Sequence, residues 1–265
     1  MNKDISRKLL AIPYAIFLVL FVVLPLFVII AYGFTDNDGN ISLHNFLAFF
    51  TSLKTIGTLL YSLVIALLTT IVCLLIAYPT AYILSKTNMK GSSALLLLFV
   101  LPMWINFTLR ITALKEILDF IEGNLAKYSY LNTIICMVYD FLPFMILPLY
   151  NSLTKIDNSY AEAAKDLGAN SFKVILKVII PLSVPGIISG ITMVFLPAMT
   201  NYVVLDMVYN STYIMGSLIG SYFNSYDWHN GSVISFILLI LIGLITLISN
   251  KFTDPDDNSN VPMIN

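Results

Sequence analysis

Six stretches of the chain stay apolar for the roughly twenty residues that a helix needs to cross a hydrocarbon core. They run from about Leu9 to Tyr32, Thr58 to Leu84, Ser93 to Thr112, Leu131 to Leu153, Val178 to Leu205 and Ser232 to Ser249. Polarity does not alternate within them, which argues against barrel strands and for helical spans. The first run is too long for a cleavable leader, and no small-residue cleavage site follows it. The pattern predicts an all-α integral membrane protein. It has a short N-terminal segment at 1–8, a six-span domain at 9–252 with a polar loop at about 155–177, and a polar tail at 253–265 expected to be disordered. Residues 41–54, with Phe46, Phe49 and Phe50, read as an amphipathic piece lying on the outer membrane surface. Pro25, Pro79, Pro102, Pro143, Pro148, Pro181, Pro185 and Pro197 fall within the spans, where each removes a backbone donor and can kink its helix. Kinked spans suit a transporter, and equally a channel or a membrane enzyme.

The polar loop carries the strongest local signals. Ser159 and Glu162 have the spacing of a capping box, so a helix is expected to begin at Ser159. Ala161, Ala163 and Ala164 favour helix with little side-chain bulk. Gly168 suits the left-handed residue that ends a helix, and Asn170 or Ser171 can cap the next one. A helix of about two turns does not hold itself together in water, so it must pack on something. A capped connector between two spans would use the same residues.

Composition supports the membrane reading. Hydrophobic residues make up 58% of the 265 and charged residues 11%, against roughly 25% charged in soluble domains. The net charge of −1 gives no sign of nucleic-acid binding. Cys73 and Cys136 lie inside apolar runs and read as small hydrophobes. His44 and His229 lie far apart with no second ligand nearby, so no metal site is expected.

With the N-terminus inside, the cytoplasmic side holds Lys3, Arg7, Lys8, Lys86, Lys90, Lys155, Lys165, Lys173, Lys177 and Lys251, which is ten. The outer side holds four, Lys54, Arg110, Lys115 and Lys127. This asymmetry puts both termini and the 159–172 loop in the cytoplasm. The outer side also carries Asp36, Asp38, Glu116, Asp119, Glu122, Asp206 and Asp227, with Asp140 inside the fourth span, and would attract cations.

Asp140 and Asp206 are costly in or near hydrocarbon and mark a candidate substrate or ion path. Arg110 can pair with either, which would make the pair structural. Trp104, beside Pro102, offers either an interfacial anchor or a cation–π face. Tyr202 adds a second aromatic near Asp206. No phosphate-binding glycine loop and no catalytic constellation is present, so the chain reads as a transport subunit, not an enzyme.

The loop segment Glu162-Ala163-Ala164, with Gly168 and then Ile179-Ile180-Pro181-Leu182, resembles the EAA loop of bacterial ABC importer permeases. Further residues resemble the spermidine/putrescine permeases of the first-permease type: Leu101-Pro102-Met103-Trp104-Ile105-Asn106 with Arg110, Val138-Tyr139-Asp140-Phe141-Leu142-Pro143, Phe195-Leu196-Pro197-Ala198 through Tyr202 and Asp206, and Ile214-Met215-Gly216-Ser217-Leu218-Ile219 with Asp227-Trp228. The likeness covers about Ile12 to Phe252. It departs at Met207-Val208-Tyr209-Asn210, where the family often has glycines. The resemblance implies a type I ABC importer permease fold in the bacterial plasma membrane. Glu162, Ala163, Ala164, Asp166 and Gly168 would then form the coupling helix that docks on an ATPase dimer. The implied partners are a second six-span permease and an external polyamine-binding protein. ATP would be bound by the ATPase, with no cofactor on this chain. Trp104, Asp140, Tyr202 and Asp206 would meet a polyamine. Another small organic or ionic substrate fits the same loop. A secondary carrier or channel using Asp140 needs no ATPase dock.

Overall fold

The computed structural model describes residues 12–36, 38–86, 91–208 and 212–253. The expected N-terminal segment 1–8 and the tail beyond Thr253 lie outside them. The described residues are helical throughout apart from turns and one isolated bridge between Thr35 and Ile41. The chain divides into two compact units. One comprises the described residues up to Leu59 with Met215–Leu241, and the other Leu60–Ile214 with the residues from Ile242 onward.

Among the described residues, four helices are long and apolar enough to cross a membrane singly: α1 (Ile12–Gly33), α3 (Leu53–Lys86), α6 (Leu125–Lys155, opening with a short 3-10 turn) and α12 (Trp228–Thr253). Two bent pairs raise the number of spans to six. The first pair is α4 (Ser92–Trp104) with α5 (Phe107–Glu122), bent by 101°. The second is α8 (Ser171–Leu182) with α9 (Val184–Ala198), bent by 69°. The shorter helices are α2 (His44–Thr51), α7 (Ser159–Asp166), α10 (Tyr202–Met207) and α11 (Met215–Asn224).

The two bends go beyond the kinks expected from Pro102, Pro181 and Pro185: each divides its span into two helices. In the third, Pro102 withdraws a donor and Ile105 turns extended, with ψ 142°. Asn106 then starts a new helix: its side-chain oxygen accepts from the amides of Thr108 (3.0 Å) and Leu109 (3.4 Å). In the fifth, Pro181 and Pro185 flank Ser183, and Pro185 has no N–H to continue the ladder. This span ends at Ala198, just past Pro197, and residues 202–207 form the separate α10. By contrast, Pro79, Pro143 and Pro148 are carried inside continuous helices.

In the unit containing the first span, Phe46 of α2 lies 4.8 Å from Phe34 and 6.1 Å from Phe236, centre to centre. Phe49 is buried and Phe50 exposed, as an amphipathic surface helix requires. In the other unit, α9 packs along α6 through glycines one turn apart. A Cβ on Gly186 would stand 2.3 Å from the Ser152 Cβ, and one on Gly190 2.6 Å from the Met145 Sδ. Small residues at this spacing let two backbones approach where no hydrophobic force between helices is available. Cys73 and Cys136 are buried and unpaired.

Candidate coupling loop and substrate path

The loop after α6 is built from local polar contacts. α7 begins at Ser159, as its sequence indicates, but the capping box does not form. Instead the Asp157 carboxylate accepts from the Ser159 amide at 2.9 Å. That amide, then the Ser159 hydroxyl, holds the Asp157 carboxyl below the usual carboxylate range. A depressed carboxylate contributes its stabilisation above its ordinary pKa and loses it as pH falls through the depressed value, so this cap is complete at neutral pH. At the other end Gly168 takes φ +84° and closes α7 by donating to the Lys165 carbonyl at 2.8 Å. Ala169 donates to Ala164 at 3.0 Å, and the Asn170 side chain accepts from the Lys173 amide at 2.9 Å to start α8. Glu162, Ala163, Asp166 and Gly168 are exposed and Ala164 is half-buried. Around them the loop leaves large apolar groups uncovered: Tyr160, Phe172 and Leu167, the last 90% exposed. A run of uncovered apolar side chains on a polar loop marks an interaction surface.

Beside the loop opens a cavity of about 820 Å³ whose walls come from α6, α8 and α9, with Asn151, Lys155, Tyr160 and Met193 among its lining residues.

The candidate path residues fall into different settings. Asp140 and Arg110 are brought together: the Arg110 Nη2 lies 2.6 Å from the Asp140 Oδ1, with the two side chains 7% and 6% exposed. The Arg110 Nε and Nη1 are buried without partners. The carboxylate that could serve a substrate is therefore held by a guanidinium. Asp206 is exposed on α10 and makes no ion pair among the described residues. Tyr202 is exposed one turn earlier. α10 packs against α5 and α6, so it stands beside the helices that carry Arg110 and Asp140. Trp104 is exposed at the end of α4, immediately before the 101° bend. His229 sits at the start of α12, with Nδ1 2.9 Å from the Tyr32 carbonyl. No cluster of metal-ligating side chains occurs among the described residues.

Three polar residues, one in the loop, one at the third-span bend and one at the end of α3, are not evident from sequence reasoning. Asp157 has a signal, an Asx turn two residues ahead of Ser159. Asn106 lies between Pro102 and Arg110, and its role as a cap emerges only with the bend. Lys86, which contacts Ile156 and Asn158 across 70 or more positions, has no local signal.

Known proteins are similar over nearly the whole chain. Residues 5–255 match the family of binding-protein-dependent transport system inner membrane components. The spermidine/putrescine transport system permease protein PotB of Haemophilus influenzae is 38% identical, covering 93% of this chain and 94% of its own. PotB of Escherichia coli is 36% identical, covering 87% and 92%. Among solved structures, a chain of a bacterial alginate ABC transporter in complex with an alginate-bound periplasmic protein superposes with a TM-score of 0.69 at 17% identity, covering 94% of this chain and 95% of that one. A chain of the MetNI methionine ABC transporter in an inward-facing conformation gives 0.58 at 18% identity, covering 75% and 94%. At these identities the structures speak to the fold alone.

Proposed function

Because the chain belongs to the family of binding-protein-dependent transport system inner membrane components, we propose that it is the permease subunit of an ATP-driven importer of polyamines of the spermidine/putrescine class. It is a multi-pass membrane protein and a transport subunit, not an enzyme. The observation that carries the coupling role is the 155–177 loop. It presents a capped two-turn helix on and beside which Tyr160, Leu167 and Phe172 stay exposed among the described residues. An ATPase subunit is the partner such a helix serves in an importer that carries no nucleotide site of its own. The excess of Lys and Arg on the loop side supports a cytoplasmic loop and cytoplasmic termini. A second permease completes the pathway, and an external binding protein delivers the substrate.

The substrate class follows the relatives named for spermidine and putrescine, and the side chains suit it. A polyamine needs carboxylates for its ammonium groups and aromatic faces along its methylene chain. Asp206, Tyr202 and Trp104 are exposed and offer both. Asp140 is engaged by Arg110, which makes it a structural partner in place of an ammonium ligand.

The test is radiolabelled spermidine and putrescine uptake in cells expressing the whole importer. Asp206→Asn keeps shape and removes charge. One lost charged contact is worth about 1.5–3 kcal/mol, so uptake should fall roughly ten-fold or more. Trp104→Leu should cost less, about two- to five-fold, as exposed cation–π contacts are weaker. Asp227, half-buried with its carboxylate accepting from Asn230 at the start of α12, should change uptake by less than about two-fold when made Asn, because Asn keeps an acceptor for Asn230 and salt screens much of an outer-loop charge. Parental uptake by Asp206→Asn at equal membrane abundance would remove α10 from the path.

A further inference from the structure

Lys86 is the last residue of α3, and its ammonium reaches across to the junction between α6 and α7. The Nζ donates to the Ile156 carbonyl, where α6 ends, and to the Asn158 Oδ1 at 3.1 Å, where α7 begins. One cation thus clamps the two residues on either side of Asp157, which itself caps α7. About two turns earlier on the same helix, Tyr78 meets Ser183, with the oxygens 3.0 Å apart. The Ser183 hydroxyl donates to the Ile180 carbonyl at 3.0 Å, so its oxygen accepts from Tyr78. Ser183 is fully buried and is the residue between α8 and α9, at the 69° bend. The two contacts are eight positions apart, about 12 Å along a helix axis. Between them lies Pro79, which has no N–H to give to the carbonyl one turn back.

The last two turns of α3 therefore have one polar attachment at the base of the exposed loop and another at the bend of the fifth span. Nothing else in the mechanism of a simple docking loop calls for both. Ser183 is buried and Tyr78 and Lys86 half-buried, so both contacts are partly shielded from water and each holds its partner in place.

We infer that Lys86 is a positioning residue for coupled transport. It ties the docking helix α7 to α3, so that a displacement of the loop is carried through α3 and Tyr78 to the bend at Ser183. The inference rests on the ATP-driven importer reading and adds a route inside this chain.

The experiment uses the complete importer reconstituted in vesicles with the binding protein. ATP hydrolysis and spermidine uptake are measured in the same preparation. Lys86→Met keeps the aliphatic stem and removes the donors. It should keep ATP hydrolysis within about two-fold of the parent, while uptake per ATP falls about five-fold or more, the size of one hydrogen bond. Lys86→Arg keeps donors and charge and should restore more than half of the ratio. A merely destabilised complex loses hydrolysis and uptake in proportion and leaves the ratio unmoved. An unchanged ratio in Lys86→Met, or joint loss of both activities, overturns the proposal. If Lys86→Met does not assemble, Tyr78→Phe decides: it removes one hydroxyl, and should lower the ratio about two-fold or more, whereas a parental ratio would again overturn it. Absence of spermidine-stimulated hydrolysis in the parental complex would instead strike at the importer reading.

Discussion

Gly168→Val should abolish polyamine uptake while the protein still inserts in the membrane. Gly168 holds φ +84°, and among the described residues no atom beyond its own chain neighbours lies within 4 Å of where its Cβ would stand. The cost of valine is therefore backbone strain and not a clash with a neighbour. A β-branched residue in that region is a genuine outlier, with a penalty of about 1–3 kcal/mol. α7 has eight residues, too few to survive on its own propensity. Its C-terminal closure depends on the Gly168 and Ala169 amides reaching Lys165 and Ala164. Once that closure opens, Leu167 and Phe172 no longer present one surface to the ATPase. Gly168→Asn is the control, because Asn enters the left-handed region with little penalty. It should retain most uptake. Uptake and membrane abundance measured together check both expectations. Normal uptake by Gly168→Val would remove the coupling role from the loop.

The second large effect concerns the Arg110–Asp140 pair, and it should appear in folding before transport. Both side chains are more than nine-tenths buried. Removing one partner of a buried pair strands the other charge, at about 3–5 kcal/mol. Asp140→Asn and Arg110→Met should each lower the yield and thermal midpoint of the detergent-solubilised protein sharply. The double variant Arg110→Met/Asp140→Leu should recover most of the loss, since a volume-matched apolar pair replaces a buried ion pair at little cost. A well-folded Asp140→Asn protein that transports no polyamine would overturn this structural role. Asp140 would then be a direct substrate contact, with Arg110 as its gatekeeper.

Much of this architecture is legible in the order of apolar and polar residues, because a membrane span is a long and nearly uniform signal. The approximate positions of the four continuous spans, the start of α7 and the left-handed Gly168 follow from composition and local spacing. The two bends do not. Eight prolines look alike in sequence, yet Pro79, Pro143 and Pro148 are absorbed into continuous helices while Pro102 and Pro185 accompany breaks. The difference lies in the neighbours: Asn106 supplies a new cap, and the Ser183 hydroxyl donates to a carbonyl beside the gap. The capping box fails for a related reason, because the Asp157 carboxylate takes the Ser159 amide. In the candidate path, the sequence leaves Arg110 a partner for either acid. Choosing Asp140 over Asp206 requires the fold, which buries that face of α6 and leaves the Asp206 position of α10 open. Pairings such as Lys86 with Asn158 and Tyr78 with Ser183 join residues 72 and 105 positions apart, beyond the reach of any local pattern.

The most direct measurement is ATP-dependent accumulation of radiolabelled spermidine in vesicles holding this permease, its partner permease and the ATPase, with the external binding protein supplied. Accumulation should need both ATP and the binding protein, should be competed away by unlabelled putrescine, and should vanish with Gly168→Val. Spermidine accumulation that persists without ATP, or an intact ATP-driven complex that moves a different solute and no polyamine, would contradict the polyamine-importer reading.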